Sequence, residues 1–120
     1  MSTPTQRLAE LGLTLPPVAK PLAAYTPAIT VGNQVWVSGQ LPLRDGKLVA
    51  TGRLGDAVEP AEGAEAAKVA ALNALAAVAD QAGGLDNVAR ILKAVVFVAS
   101  TTDFTAQPQV ANGASELLGE

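Results

Sequence analysis

The longest regular pattern in the sequence is a stripe of mostly small apolar residues. Ala64, Ala67, Ala71, Leu75, Val78 and Ala79 recur at helical spacing. Pro60 suits the first turn, Glu59 and Glu62 complement the positive end of a helix dipole, and Gly83-Gly84 stops the run. The pattern predicts one long helix whose narrow face of small side chains lies close on a sheet. A second, shorter helix is predicted near the start: Thr3 as N-cap hydroxyl, Pro4 in the first turn, Gln6 closing a capping box, and Gly12 as the stop.

Between these helices the period changes. Leu15 to Pro27 carries four prolines and reads as an extended lead-in. Ile29 to Val31 and Val35 to Ser38 flank Gly32-Asn33, a two-residue hairpin signal. Val35 and Val37 then face one side, and Gln34, Trp36 and Ser38 the other. Asp45-Gly46 marks a further turn leading to Lys47–Thr51, so three short strands in a meander are expected. After a single turn at Leu85–Ala89, Ile91–Ala99 is apolar at both parities: Ala94, Val96 and Val98 against Val95, Phe97 and Ala99. Such a strand is expected to be buried on both faces. One chain has helices for only one of them, so self-association is the expected cover for the other. Ala106 to Glu120 reads as a last helix with Val110, Ala114, Leu117 and Leu118 inward. Its apolar pattern is still strong where the sequence stops, and the expectation is a shortened chain.

Composition narrows the chemistry. The 120 residues suit one domain by length, and hydrophobic residues make up 49 %, which excludes disorder by polarity. With two Phe, one Tyr and one Trp, the core volume must come from Ala, Val and Leu. Cys and His are both absent, which removes disulfides, His-dependent nucleophile triads and Cys/His zinc sites. A net charge of −3, with eight Lys/Arg scattered among eleven acids, offers no basic stripe for nucleic acid. No apolar run reaches membrane-span length and the N-terminus lacks signal-peptide order, so a cytoplasmic location is expected. Arg44-Asp45-Gly46-Lys47 reads as a turn, since Leu48 stands where a phosphate loop needs Ser or Thr. Glu59, Glu62 and Glu65 read as an acidic helix start.

Taken in order, several blocks resemble the YjgF/RidA superfamily, also called the endoribonuclease L-PSP family. They are Tyr25-Thr-Pro-Ala28, Gly32-Asn-Gln-Val-Trp-Val-Ser-Gly-Gln40 with Leu41-Pro42, Ala71-Leu-Asn-Ala-Leu75, Leu85-Asp-Asn-Val88, Val95-Val-Phe-Val98 and Asp103-Phe104. The resemblance covers residues 23–120, leaving 1–22 as a short helix and Pro-rich lead-in of a divergent subgroup. It implies an α+β, chorismate-mutase-like (RidA-type) fold, a mixed sheet with helices on one face, here lacking its last strands. It also implies a homotrimer with ligand clefts between subunits and no cofactor or metal. The implied activity is imine/enamine deaminase: water converts reactive acids such as 2-aminoacrylate and 2-iminobutyrate to 2-keto acids and ammonia.

Site residues follow from the same resemblance. Tyr25 is similar to the tyrosine lining the family cleft, and Ser38 and Gly39 to the strand-end residues bordering the ligand. For the family asparagine, the usual spacing from Phe104 falls on Pro108. A short insertion brings Asn112 into that place, with Glu116 on the family glutamate, and Asn112 is the candidate taken. The family's carboxylate-gripping arginine lies on a strand after this helix, beyond residue 120 by the same count. Arg7, Arg44, Arg53 and Arg90 do not match it, so the catalytic group is unknown. The residues alone allow plainer roles: Tyr25 as an anchor of the lead-in, Ser38-Gly39 as a strand end, Asn112 as helix surface. Hence a non-catalytic trimer binding a small carboxylate as regulator or scaffold stands as the alternative to the enzyme.

Overall fold

The computed structural model describes residues 3–18 and 24–119. These form helices α1 (Pro4–Glu10), α2 (Pro60–Ala82) and α3 (Gln107–Gly119), strands β1 (Ala28–Val31), β2 (Gln34–Val37), β3 (Leu43–Arg44) and β4 (Lys47–Leu48), and a one-turn 3-10 helix at Leu85–Asn87. The architecture is α+β. Two compact units divide the chain, one of Met1–Gln40 with Leu72–Ile91 and one of Leu41–Ala71 with Leu92–Glu120. The middle of the lead-in, residues 19–23, and the end of the last helix at residue 120 lie outside the described residues.

In the first unit α1 is closed at both ends by local chemistry. Thr3 Oγ1 accepts from Gln6 N at 3.3 Å, and Gln6 Oε1 accepts from Thr3 N at 3.0 Å, both halves of the capping box. At the other end Gly12 takes φ of 73°, which lets Gly12 N reach Ala9 O at 3.0 Å and Leu13 N reach Leu8 O at 2.9 Å. That pair is a Schellman motif, which satisfies carbonyls a helix end leaves orphaned. The helix is held to the 3-10 turn by Thr5 N, which donates to Asp86 Oδ1 at 2.8 Å.

The β1–β2 hairpin pairs Ala28 with Val37, Ile29 with Trp36, Thr30 with Val35 and Val31 with Gln34. Gly32 alone of the two turn residues enters the left-handed region, the II′ arrangement suited to strand twist. The inner face is Ala28, Thr30, Val35 and Val37; Thr30 Oγ1 bonds Gln81 Oε1 on α2 at 2.8 Å. Ile29, Val31 and Trp36 are exposed, Trp36 at 62 %. The expected alternation along β2 therefore holds.

The second unit is built around Leu54, Val58 and Val110, with Ala50, Val98 and Phe104 packed against them. β3 and β4 make their own hairpin about Asp45-Gly46, whose φ values of 55° and 79° fit a I′ turn. The third strand of the expected meander is thus replaced by a separate two-stranded sheet. Leu54 N donates to Ala99 O and Thr101 N to Leu54 O, both at 2.9 Å, forming a parallel bridge to Ser100.

The expectation for Ile91–Ala99 is corrected. Among the described residues this segment pairs only at its end, through Leu54, and it is not a ladder strand. Val96 and Val98 are half-buried, whereas Val95 is exposed and Phe97 is 94 % exposed. The reason is physical: an extended segment becomes a strand only where neighbouring backbone meets its N–H and C=O groups, and among the described residues only Leu54 does.

The buried face of α2 also differs from the stripe expected. Ala71 is buried, but Ala64, Ala67, Leu75, Val78 and Ala79 are only partly so. Val69, Asn73, Ala76 and Ala77 are the buried set, one helical face rotated from the expected one. In α3 Val110, Ala114 and Leu117 are buried as the spacing predicts.

Candidate functional site

The end of the β1–β2 hairpin gathers three of the four candidates. Ser38 N donates to Pro27 O at 2.9 Å, extending the ladder one residue beyond Ala28–Val37. Pro27 has no N–H to return, so backbone pairing ends there. The Ser38 hydroxyl continues it by donating to Thr26 O. Thr26, restricted to extended backbone by the following proline, is thereby tied to the end of β2. Tyr25 is the next residue out, and it is 45 % exposed. Gly39 is exposed, and no atom lies within 4 Å of where a Cβ would sit. Gln40 Nε2 donates to Ser38 O over 3.4 Å, a long contact on the strand-end backbone.

This arrangement is an exposed rim: a phenol, a hydroxyl that already donates inside the protein, and a strand-end glycine without a side chain. It can present an aromatic wall and accessible backbone groups to a small polar ligand. Asn112 belongs to the other unit. It is exposed on α3, beside Gly113, and Glu116 one turn later is exposed too. Pro108, the residue at the unshifted spacing, is exposed in the first turn of α3.

The charged residues have ordinary surface roles. Arg7 pairs with Glu10 at 3.0 Å, Arg44 with Glu65 at 3.4 Å, and Arg53 with Asp56 at 3.8 Å. Glu62 Oε1 accepts from Glu59 N at 3.2 Å, so two of the three clustered glutamates serve the start of α2 and the third meets Arg44. Among the described residues no three acidic side chains converge as a metal-binding group. No helix there is long and apolar enough to cross a membrane.

Two polar residues carry structural weight that sequence reasoning missed. Asn73 is 2 % exposed in the middle of α2, and no buried side-chain polar atom among the described residues lacks a hydrogen-bond partner. Its signal was available, a polar residue one turn from Val69 and from Ala76-Ala77 in an otherwise apolar stretch. Asp86 is the other. Its carboxyl is held below the usual carboxylate range chiefly by the Thr5 backbone N–H, then by the Thr5 hydroxyl, with a smaller contribution from Thr3 opposing slight desolvation.

An α+β chain with paired hairpins, a long helix of small residues and a polar rim at a strand end defines a class. The chain belongs to the family described as YjgF/chorismate-mutase-like, putative endoribonuclease, whose model matches residues 5–120. It is 42 % identical over 111 residues to Protein TCP17 of Trypanosoma cruzi, spanning 92 % of this chain and 69 % of that protein. Two solved structures are similar. The protein Atu1372 of Agrobacterium tumefaciens, of unknown function, superposes with a TM-score of 0.81 at 43 % identity, covering 93 % of this chain and 68 % of its own. A Shewanella oneidensis protein carrying the same endoribonuclease description gives 0.85 at 35 % identity, covering 97 % and 77 %. The chorismate-mutase-like fold expected from the sequence is therefore the fold of the family.

Proposed function

We propose that this protein hydrolyses small reactive 2-imino and enamine acids to 2-keto acids and ammonia. The observation that carries the reading is the joint at the hairpin end, where half-buried Ser38 ties Thr26-Pro27 to β2, with exposed Tyr25 preceding Thr26 and exposed Gly39 following Ser38. These are the residues that the resemblance assigns to the ligand cleft of the family to which the chain belongs. The enamine first tautomerises to the imine. Water then adds through oxygen to C2 while the imine nitrogen gains a proton, giving a carbinolamine. The second proton of water passes from the carbinolamine hydroxyl to nitrogen, and the C–N bond breaks as the C=O bond forms, releasing ammonia. The reaction needs no oxidant or reductant. The protein's part is to hold the acid and present C2 to water, with Tyr25 as a wall and Gly39 allowing close backbone approach. Asn112 is retained as the helix amide of the site on the resemblance alone.

The proposed working form is a homotrimer with the small carboxylate ligand held at a subunit interface. The exposure of Phe97 and Val95 in one unit, and of Ile29, Val31 and Trp36 in the other, supports an assembly that covers apolar surface. A second reading, a trimer that binds a small carboxylate without turning it over, is favoured by the arginines. Arg7, Arg44 and Arg53 lie in exposed surface pairs, and neither they nor the exposed Arg90 match the arginine that grips the substrate carboxylate in the family. The two readings separate cleanly: turnover gives ammonia and keto acid above the buffer rate, whereas binding alone gives thermal stabilisation by a 2-keto acid with no product. The endoribonuclease description of the Shewanella relative fits this chain less well, since a net charge of −3 opposes phosphate binding. RNA cleavage that copurifies with the protein and is lost in Tyr25→Ala would overturn that ranking.

A further inference from the structure

The Ser38 hydroxyl has one proton, and it is committed. It donates to the carbonyl of Thr26, immediately before the proline at which ladder pairing stops. Its oxygen retains lone pairs, so toward a ligand it can accept but not donate. A carboxylate at the rim needs donors, and Ser38 supplies none while this bond stands. What the bond does supply is position. Backbone pairing fixes Pro27 through Ser38 N, the hydroxyl fixes the carbonyl of Thr26, and Tyr25 is joined to that peptide through Thr26, whose backbone the proline restricts.

We propose that Ser38 is a positioning residue, a latch that acts on Tyr25 by holding the Thr26-Pro27 peptide, one residue beyond Tyr25, against the end of β2, and not a group that binds substrate directly. Its functional half rests on the reading of Tyr25 as a cleft residue; its structural half does not. Removing the hydroxyl releases the segment before Pro27 while leaving the four residue pairs of β1–β2 intact. Restoring any hydroxyl at the same Cβ restores the latch.

The sequence contains one tyrosine, so protein grown with 3-fluorotyrosine gives a single fluorine resonance from residue 25. In Ser38→Ala this resonance is expected to narrow and move toward the shift of the unfolded chain, with circular dichroism and Trp36 emission unchanged. In Ser38→Thr it stays at the wild-type position. Activity gives a second arm: kcat/KM for 2-iminobutyrate falls by about tenfold in Ser38→Ala, the scale of one hydrogen bond. Ser38→Thr recovers it, and Ser38→Ala adds nothing further in a Tyr25→Ala background. A folded Ser38→Ala protein with the wild-type resonance overturns the latch, and so do losses that multiply in the double variant. If Ser38→Ala does not fold, Ser38→Val, which has the shape of Ser38→Thr without a hydroxyl, replaces it, and an unchanged resonance there is equally decisive against. Absence of turnover in the wild type would overturn the proposed activity alone, since the resonance decides the latch without it.

Discussion

Asp86 shows how a single exposed carboxylate can organise a terminus. Its Oδ1 accepts from Thr5 N at 2.8 Å, a bond between residues 81 positions apart, and the charged form is favoured. A folded-state pKa below the unfolded value stabilises the fold at pH values above the ordinary Asp range, and that stabilisation is lost as pH falls through the folded value. Asp86→Asn is therefore expected to lower the urea midpoint at neutral pH. The difference from wild type should shrink toward zero as the pH drops below about 4. An equal difference at pH 7 and pH 3 would show that charge has no part in it. The capping box at the same helix was legible because Thr3, Pro4 and Gln6 are neighbours whose chemistry is local. Asp86 was not, because nothing in Leu85-Asp-Asn names a partner so distant in the chain. The bond of Ser38 to Thr26 O was not legible either, because it depends on the register of a hairpin and on a proline that ends its ladder.

Among elements, the crossing of α2 and α3 is set by glycine. A Cβ on Gly113 would lie 1.9 Å from Ala64 O, a backbone atom that cannot rotate away. Gly113→Ala should gain helix propensity of about 1 kcal/mol and lose more to forced separation, a net destabilisation of about 1–3 kcal/mol. Gly119→Ala, with open space around it, should change stability by no more than about 0.5 kcal/mol. Denaturant midpoints with unchanged slopes measure both, and a stabilised Gly113→Ala would contradict the packing described. The three helices and the first hairpin were readable because caps, prolines and glycines punctuate them in sequence. The face α2 buries was misplaced because spacing among many alanines marks no preferred side, and contact decided in favour of Val69, Asn73, Ala76 and Ala77. Ile91–Ala99 has the composition of a strand, yet composition cannot provide the neighbour that makes one.

At the scale of the whole molecule, the exposed apolar residues bear on the proposed homotrimer. Phe97 is 94 % exposed, and Phe97→Asp is expected to weaken self-association without loss of secondary structure. Sedimentation velocity over a range of concentrations would show it, and a monomeric wild type or an unaltered variant would remove the trimer from the account. Three of the four candidate site residues lie together at one hairpin end because a two-residue turn and two short strands fix them, which local sequence can encode. The placement of Asn112 depended on an assumed insertion after Phe104, and α3 sets it on an exposed surface in the other unit. The claim that matters most is the chemistry. The initial rate of ammonia release from freshly generated 2-iminobutyrate, with wild type and Tyr25→Ala side by side, tests it most directly. Imine hydrolysis at this rim gives a rate above buffer that is proportional to wild-type protein and sharply lower for Tyr25→Ala. A rate equal to buffer from folded, assembled wild type would contradict it and leave the carboxylate-binding trimer in its place.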